Sequence, residues 1–375
     1  MAERHWVGGT GNWNGTAASK WSLTEGGAGG EAEPTSADDV YLDAGSGTVT
    51  VTTSASTRPC RNLICTGFTG TLAGGQVIQI HGNLLLVAGM GYTATSQLQF
   101  LATDAGHTIT TAGKSVGAVV LNGVSGAWAL TDALNCGANS ITLTNGTFNT
   151  GGFAVSCSAI SSNNSNTRVL TIDNSTVTLD GSSATPWTFG NTTGTASSLT
   201  FSATGSTVVL NTTSTTNYTC NFNTKTFNII TIAGSGTGTV SLLANTDAMI
   251  IGTLNYTGGS ARTLIFSSTR NHTITNWNVN GAPGYLVTIQ ASAAGSAFTL
   301  TKTGGGVVAA TYLAVKDCTG SPADTWSTAG GPLASINLGG NSGWLFLLPQ
   351  ASTRTGAAAR TLATARSAAT TRTAV

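Results

Sequence analysis

The sequence contains very few charged residues. Asp, Glu, Lys and Arg make up 8% of its 375 residues, whereas about a quarter is usual for a globular domain. No glutamate follows Glu33, and the whole chain has only five lysines. Glu and Lys are strong helix formers that usually cover the exposed faces of helices. Their scarcity excludes a mainly helical fold, and the shortage of titratable groups also disfavours an enzyme.

Neither a basic patch nor a long apolar segment is visible. The net charge of +1 gives no electrostatic attraction to nucleic acid or to an anionic membrane. The longest apolar run covers residues 84–88, far short of the roughly 20 residues that span a bilayer. The opening residues, MAERHWVGG, lack the apolar core of a secretory signal. We therefore expect no nucleic-acid partner, no membrane association, and synthesis in the cytoplasm.

The cysteines and histidines show no metal-ligand spacing, and no nucleotide-binding loop is present. The six cysteines are Cys60, Cys65, Cys136, Cys157, Cys220 and Cys318. Scattered in this way, they predict reduced, buried thiols in a core, although Cys60 and Cys65 could instead meet across a bend. We expect no metal ion and no cofactor.

Short apolar runs closed by turn residues dominate the sequence, most clearly between residues 140 and 213. There SITLTNGTFNTGG is followed by RVLTIDNSTVTLDG and by SLTFSATGSTVVLNTT. β-Branched and aromatic residues favour strands, and Gly and Asn accept the positive φ of a sharp corner. Apolar residues alternate with Thr and Ser, so one side of each strand is apolar and the other is hydroxylated.

Comparable runs recur at intervals of roughly ten residues from residue 48 onward. Two or three such strands make a coil of roughly 20–30 residues, the range of solenoid repeats. More than twenty runs exceed the roughly seven strands that close a β-sandwich. The sequence therefore predicts an all-β fold, a single elongated parallel β-helix (β-solenoid) with N- and C-terminal caps.

Both ends of the chain differ from the middle. Residues 1–45 are predicted to form a Trp-rich cap or docking segment, in which Trp6, Trp13 and Trp21 cover the first rung or offer a platform for sugar rings. Residues 46–316 form the solenoid. Residues 317–348 form a C-terminal cap, in which three aromatic residues cover the last rung: Trp326, Trp344 and Phe346. The remaining tryptophans, Trp128, Trp187 and Trp277, are predicted to lie in the core rather than to bind sugars.

The composition changes again after Pro349. Residues 349–375 form a low-complexity Arg/Ala/Thr tail whose arginines recur at every sixth position, at Arg354, Arg360, Arg366 and Arg372. On an extended strand this even spacing places all four on one face. The tail is interpreted as disordered or as a reading-frame artefact, and the alternative is an arm that contacts a neighbouring subunit.

Only one pair of carboxylates is a candidate for chemistry. Asp173 and Asp180 lie in successive strand–turn units, and two carboxylates that face a groove could cleave a glycan. Both occupy turn sequences, where Asp usually bonds to the local backbone. Asp38 and Asp39 are adjacent and would face opposite ways on a strand. The favoured interpretation is that no residue is catalytic.

The two ends resemble a known group of proteins. The opening combines WVGGTGNWNGTAASKWS, PTSADDVYLDA and GTVTV, and the close combines YLAVKDCTG with NSGWLF. Together these segments resemble the ends of β-helical virion surface proteins (decoration, fibre or spike proteins) of tailed bacteriophages. The W-x-G-G…W and P-x-x-x-D-x-V patterns are also similar to the first β-helix repeats of bacterial autotransporter passengers. An autotransporter would need an export signal, which favours the phage group.

The resemblance implies a non-enzymatic structural protein on the virion surface, made in the host cytoplasm. Its implied partners are capsid or tail proteins of the same particle and, as an alternative, a host surface glycan, with a homo-oligomer (a trimer favoured). It carries over no catalytic residue. Two other functions stay open at this point: a polysaccharide depolymerase or lyase that uses Asp173 and Asp180, and a bacterial surface adhesin.

Overall fold

The chain forms a stack of parallel strands, a β-solenoid of about 13 turns, in a computed structural model that describes residues 2–14, 19–190, 198–244, 248–328 and 335–346. The predicted all-β solenoid is confirmed. The described residues contain 37 strands and one 3-10 turn, Ala44–Ser46. No helix among them is long and apolar enough to cross a membrane.

The strands are numbered here in chain order. Strands β1 to β12 are Glu3–Trp6, Gly11–Asn12, Trp21–Ser22, Asp39–Tyr41, Thr50–Thr53, Arg58–Cys60, Leu63–Ile64, Thr71–Gly74, Ile78–Ile80, Leu84–Leu85, Gly91–Tyr92 and Leu98–Phe100. Strands β13 to β25 are His107–Thr110, Val119–Leu130, Leu134–Asn135, Ser140–Asn149, Val155–Cys157, Ala159–Ser161, Arg168–Thr171, Thr176–Leu179, Trp187–Thr188, Leu199–Ser202, Thr207–Asn211, Tyr218–Asn221 and Thr226–Ala233. Strands β26 to β37 are Val240–Leu243, Ile250–Tyr256, Arg262–Phe266, Asn271–Asn278, Val287–Ala291, Phe298–Lys302, Val308–Ala310, Leu313–Lys316, Cys318–Ser321, Trp326–Thr328, Ile336–Asn337 and Trp344–Phe346.

Apart from β3, the described strands pair in parallel with the equivalent strand of a neighbouring coil, so the sheets run along the solenoid axis. The largest sheet has 21 strands and covers two faces, because the long strands β14 and β16 bend from one face to the next. The first part of β14 pairs with β12, and its last part pairs with β13. A third face consists of a four-stranded sheet that starts at β2, a nine-stranded sheet that starts at β15 and a three-stranded sheet that starts at β32.

In-register stacking places like residues on like residues. One inward column on the third face runs through Leu134, Val155, Val177, Val208, Ile230, Leu254 and Trp277. All of these side chains are buried. Within each strand the next residue points outward and is mostly Ser, Thr or Asn, as at Ser156, Thr178, Thr231 and Asn255. The period-2 pattern of the sequence thus becomes an apolar core and a hydroxylated surface.

At the N-terminal end the parallel stack stops at an antiparallel strand. Strand β1 pairs parallel with β4 but antiparallel with β3. Trp6, Trp13 and Trp21 lie beside this pair, all at most 1% exposed, with Trp21 edge-on to both of the others. Strands β1 and β4 therefore already belong to the parallel stack. The sequence pattern had predicted a separate cap for residues 1–45, which include both strands.

At the C-terminal end an aromatic column continues the core. The rings of Trp277 and Trp326 lie 5.4 Å apart, those of Trp326 and Trp344 lie 5.1 Å apart, and those of Trp344 and Phe346 lie 6.3 Å apart. Trp326 is fully buried and Trp344 is 9% exposed. The tail arginines, Arg354, Arg360, Arg366 and Arg372, lie outside the described residues.

All six cysteines are buried and free, as the sequence predicts. Burial raises the pKa of the Cys136 and Cys318 thiols to about 12, and it also raises the pKa of the other four thiols well above the ordinary value. These thiols are therefore protonated at neutral pH and are poor nucleophiles. Cys60 and Cys65 form no disulfide.

Candidate functional site

The two candidate catalytic carboxylates lie at opposite ends of β20. Asp173 precedes the strand and accepts hydrogen bonds from Ser202 Oγ and from the Thr204 amide, both at 2.7 Å. Asp180 follows the strand, and its Oδ1 accepts bonds from the amide and the hydroxyl of Ser182. Strand β20 alone spans about 10 Å, so the carboxylates do not face one another across a cleft. Each instead stabilises a turn.

The adjacent pair Asp38 and Asp39 is also bonded internally. Asp39 Oδ1 accepts bonds from Arg61 Nε at 2.7 Å and from Asn62 Nδ2 at 2.6 Å. Burial opposes ionisation of Asp38, but hydrogen bonds from Thr35 and Ala2 outweigh it, and the pKa of this carboxyl falls below its ordinary value. Both carboxylates fix the chain where the first coils begin.

Near the N-terminus, a histidine lies beside two carboxylates. The sequence pattern did not predict this cluster. His5 Nδ1 lies 2.5 Å from Asp43 Oδ2, and His5 Nε2 lies 3.4 Å from Glu3. The His5 ring stacks on Tyr41 with centroids 4.5 Å apart. Both ring nitrogens therefore face carboxylates rather than a hydroxyl or thiol nucleophile. Asp43 also accepts the Ser46 amide of the 3-10 turn, so the cluster fixes the end of β4.

All eight tryptophans are at most 9% exposed. The prediction that Trp128, Trp187 and Trp277 belong to the core is confirmed. Sugar rings stack on exposed aromatic faces, and Trp6, Trp13 and Trp21 offer none. Sugar binding by indole stacking therefore has no support in this arrangement.

Two arginines buried inside the coils donate hydrogen bonds to backbone carbonyl and hydroxyl oxygens. Arg168, 1% exposed, donates from Nε to Ser162 Oγ at 2.7 Å and from a terminal nitrogen to the Ser162 carbonyl at 2.8 Å. Arg262, 2% exposed, donates to Thr212 Oγ1 and to the Gly236 carbonyl. Burial lowers the pKa of both guanidinium groups. These arginines stabilise corners of the solenoid and are not free to bind a ligand.

Two grooves of the outer surface are lined entirely by described residues. The first, called the Phe201 groove, has a volume of about 370 Å³ and crosses β22, β25, β27 and β29 along the axis. It is lined by Phe201, Ser202, Ala203, Thr204, Thr226, Phe227, Asn228, Ile250, Gly252 and Thr275. None of these residues is charged, and Ile250 is 43% exposed. Hydroxyl and amide groups beside apolar surface are suited to a neutral, hydroxylated ligand.

The second, called the Asn145 groove, has a volume of about 420 Å³ and lies where β14 and β16 bend between faces. It is lined by Val124, Ser125, Asn145, Gly146, Thr147, Asn166, Thr167, Arg168 and Val169. The guanidinium of Arg168 is already bonded to its own coil, and Asn145 donates to Asn122 Oδ1 at 2.7 Å. The polar groups here are therefore largely occupied by the protein.

Asparagine and threonine side chains bond to one another from coil to coil. Asn278 donates to Asn255 Oδ1 at 2.9 Å, and Asn255 donates to Thr231 Oγ1 at 3.2 Å. Near the N-terminus, Asn62 Oδ1 accepts from Asn83 Nδ2 at 3.2 Å and from the Asn83 backbone amide at 2.6 Å. These ladders give a neutral surface whose hydrogen bonds strengthen the stack.

Comparison of the chain with protein-family models, with curated proteins and with solved structures finds no match. Within the described residues, no group of three or more His, Cys, Asp or Glu side chains is arranged to hold a metal ion.

Proposed function

We propose that this protein is a non-enzymatic structural protein exposed on the surface of a tailed-phage particle, as a capsid decoration, fibre or spike. The observation that supports this role is the in-register stack of about 13 coils. Such a stack makes a stiff, self-supporting rod, because its backbone hydrogen bonds run along the axis and its core is continuous.

The distribution of polar groups supports a structural role. The buried arginines, the aspartates at the turns and the His5 cluster all bond to their own coils or to adjacent ones. The outer faces carry neutral Thr, Ser and Asn side chains. A surface of this kind resists non-specific adsorption through charge and can be matched by hydrogen bonds from a neighbouring subunit.

The partners in this proposal are capsid or tail proteins of the same particle and further copies of the chain, with a trimer favoured. This part of the proposal is based on the resemblance of the two ends to phage surface proteins. It assigns the protein to the virion surface after synthesis in the host cytoplasm.

Localisation on purified particles is the direct test. Antibody labelling and cryo-EM should find the chain at regular lattice positions over the head, which would identify a decoration protein, or at the tail, which would identify a host-recognition role. Absence of the chain from purified particles would overturn the proposal.

Attachment to a neutral host glycan is the second candidate function, and the uncharged Phe201 groove is the observation that favours it. Ile250→Arg would place a long charged side chain in this groove. The matched control is Val307→Arg, because Val307 is 63% exposed and does not line either groove. Loss of binding to host-surface polysaccharide in the first variant only is expected, and equal binding by both variants would contradict a role for the groove.

A reducing-end assay on the same polysaccharide distinguishes binding from cleavage. The separation of Asp173 and Asp180 by β20 leads us to expect no release of reducing ends by the native protein. Release that is lost in Asp180→Asn would overturn this expectation and support the depolymerase alternative.

A further inference from the structure

Carboxylates hold the first strand, β1, in place. The Ala2 amide, just before the strand, donates to Asp38 Oδ1 at 3.1 Å, and an Arg4 nitrogen donates to Glu31 Oε2 at 3.2 Å. Asp38 also accepts bonds from the amide and the hydroxyl of Thr35, at 3.0 and 2.7 Å, so its position is fixed independently of β1. Both contacts join the start of the chain to the segment between β3 and β4.

The histidine of β1 lies between two further carboxylates. His5 Nδ1 is 2.5 Å from Asp43 Oδ2, and Nε2 is 3.4 Å from Glu3 Oε2. The Tyr41 hydroxyl donates to the other oxygen of Glu3 at 3.5 Å. An imidazolium can donate to both carboxylates, whereas a neutral ring can donate to only one. All of these contacts are strongest while the carboxylates are ionised.

The two cations of β1 are largely buried. The side chain of Arg4 is 13% exposed and that of His5 is 9% exposed, so each depends on a carboxylate for neutralisation. A buried charge that loses its partner is strongly destabilising. Acid that protonates Glu31 and Asp43 would leave both cations without a countercharge, and detachment of β1 would return them to water.

The segments that pack against β1 contribute two more cations. Lys20 Nζ lies 5.5 Å from the centre of the Trp6 ring and donates to the Gly8 carbonyl at 2.9 Å. Arg61 donates to Asp39 Oδ1 at 2.7 Å. Once the carboxylates of this region are neutral, these cations repel those of β1. Neither of them takes the place of a lost carboxylate.

The later coils depend less on carboxylates. Half of the 14 acidic residues lie within the first 43 positions of the chain. Corners further along are held by carbonyl and hydroxyl oxygens, as at Arg168 and Arg262, and these groups do not titrate. Acid should therefore weaken β1 before it weakens the coils that follow. At neutral pH the pairing of β1 with β3 and β4 and the burial of Trp6 add to its hold.

We propose that β1 is an acid-sensitive latch, which closes the N-terminal end of the solenoid while its carboxylates are ionised and detaches, with the later coils intact, once they are protonated. Detachment exposes Trp6 and opens one edge of β4. Mild acid that charges His5 but leaves the carboxylates ionised keeps the latch closed. Burial opposes ionisation of Asp38, but hydrogen bonds from Thr35 and Ala2 outweigh it and lower its pKa, so this contact is the last to be lost as pH falls.

Two matched double variants test the latch at neutral pH. Asp38→Asn with Asp43→Asn neutralises two carboxylates that hold β1, whereas Asp132→Asn with Asp173→Asn neutralises two that accept backbone amides in later coils. Amide hydrogen exchange in residues 2–6 should become about tenfold faster in the first variant and stay native in the second. Equal exchange of residues 2–6 in the two variants would overturn the proposal.

The native full chain shows whether acid acts on the first strand alone. Protection factors, in which the intrinsic pH dependence of exchange is divided out, should fall at least about tenfold for residues 2–6 between pH 7 and about pH 3.5. They should stay high in β16 and recover at residues 2–6 when the pH returns to 7. An equal fall in β16, no fall at residues 2–6, or no recovery would each contradict a reversible latch.

Discussion

Three arginines and His272 are buried in coils whose other inward residues are mostly apolar. Arg58, Arg168 and Arg262 are each at most 2% exposed, and His272 is 0% exposed. A buried charge is costly unless hydrogen bonds replace those of water. Here carbonyl oxygens at the corners of the coils accept from the guanidinium groups. Each of these guanidinium groups thus bonds to the backbone at a corner of the solenoid, and its charge is buried rather than exposed at the surface.

The buried histidine should make the protein sensitive to acid. Burial lowers the pKa of His272 from 6.5 to about 4. Its Nδ1 accepts from the Met249 amide at 3.3 Å, and its Nε2 lies 3.2 Å from the Ser267 carbonyl oxygen, an arrangement that fits a neutral ring. Between pH 6.5 and 4 the unfolded chain binds a proton at this ring that the folded chain does not. The free energy of unfolding should therefore fall as pH decreases through this window, and His272 should have no such effect above it.

The variant His272→Gln removes this titration and keeps a polar side chain. Chemical denaturation at neutral pH and again near the lower end of this window should show that native protein loses about 2 kcal/mol more stability than the variant. The comparison cancels the contribution of all other titrating groups. Identical losses in the two proteins would show that His272 does not titrate as its burial implies.

The sequence pattern predicts which apolar residues of a strand are buried, but it does not predict the burial of these arginines and histidines. Ile141 and Leu143, separated by Thr142, follow a period of two and are buried as expected. Arg168 also fits this period, yet Arg at such a position is ordinarily read as exposed. The contact of His5 with Asp43 joins distant parts of the sequence, and no local pattern indicates it. The burial of Arg168 and the contact of His5 with Asp43 both depend on packing between coils, which a local sequence pattern does not show.

At the scale of elements, the corners set the shape of the solenoid. Strand β16 bends between two faces at Gly146, which has a φ of 81°. A Cβ atom there would lie 2.5 Å from the carbonyl oxygens of Gly123 and Gly126 in the preceding coil. Glycine is required because the backbone of one coil lies directly against that of the next.

Comparison of two alanine variants should separate backbone strain from this close approach. Gly152 has a φ of 82°, and a Cβ there would meet nothing within 4 Å. Gly152→Ala should cost about 1 kcal/mol, because only the left-handed backbone conformation is disfavoured. Gly146→Ala should cost about 2 kcal/mol more, since neighbouring coils must move apart. Equal shifts of the urea midpoints would contradict close packing at Gly146.

The aromatic column at the C-terminal end should protect the last coils from proteolysis. Trp344→Ala removes a ring that packs on Trp326 and an indole N–H that donates to Cys318 Sγ at 3.3 Å. A loss of about 3–5 kcal/mol is typical of such a truncation. Trypsin should then cut more rapidly after Lys302 and Lys316, which lie in these coils.

The control for this prediction is Trp344→Phe, which keeps an aromatic ring in the column. Its resistance should lie close to that of the native protein. Unchanged resistance in Trp344→Ala would show that the ring does not stabilise the end of the solenoid.

The whole molecule is a linear array in which each coil contacts mainly its neighbours, although a few long side chains, such as Arg262, reach one coil further. Leu134 and Val155 occupy equivalent places in successive coils, as do Val119 and Ile141 and, one coil further, Ile160. Removal of one complete coil should therefore join two surfaces that already match. The architecture could be predicted from the density of strand-like runs, but the coil boundaries could not, because coil lengths vary and the sequence has no fixed period.

Deletion of residues 134–154 removes one full coil and should leave a folded, shorter solenoid. Ala133 would then lead into Val155, which takes the register of Leu134. The matched control deletes only residues 134–143, which puts the following strands on the wrong faces. The first variant should be soluble, with a β-sheet circular dichroism spectrum and cooperative melting, and the second should aggregate. Similar behaviour of the two variants would contradict the coil boundaries described above.

The direction of the inter-coil hydrogen bonds determines how the rod responds to tension. These bonds lie parallel to the long axis, so a pull on the two ends acts on the coil interfaces in series, and they open one after another rather than all together. Each detached coil of about 20 residues releases roughly 70 Å of extended chain. The molecule would therefore lengthen in discrete steps of one coil and absorb mechanical work at each step, while the remaining coils stay folded.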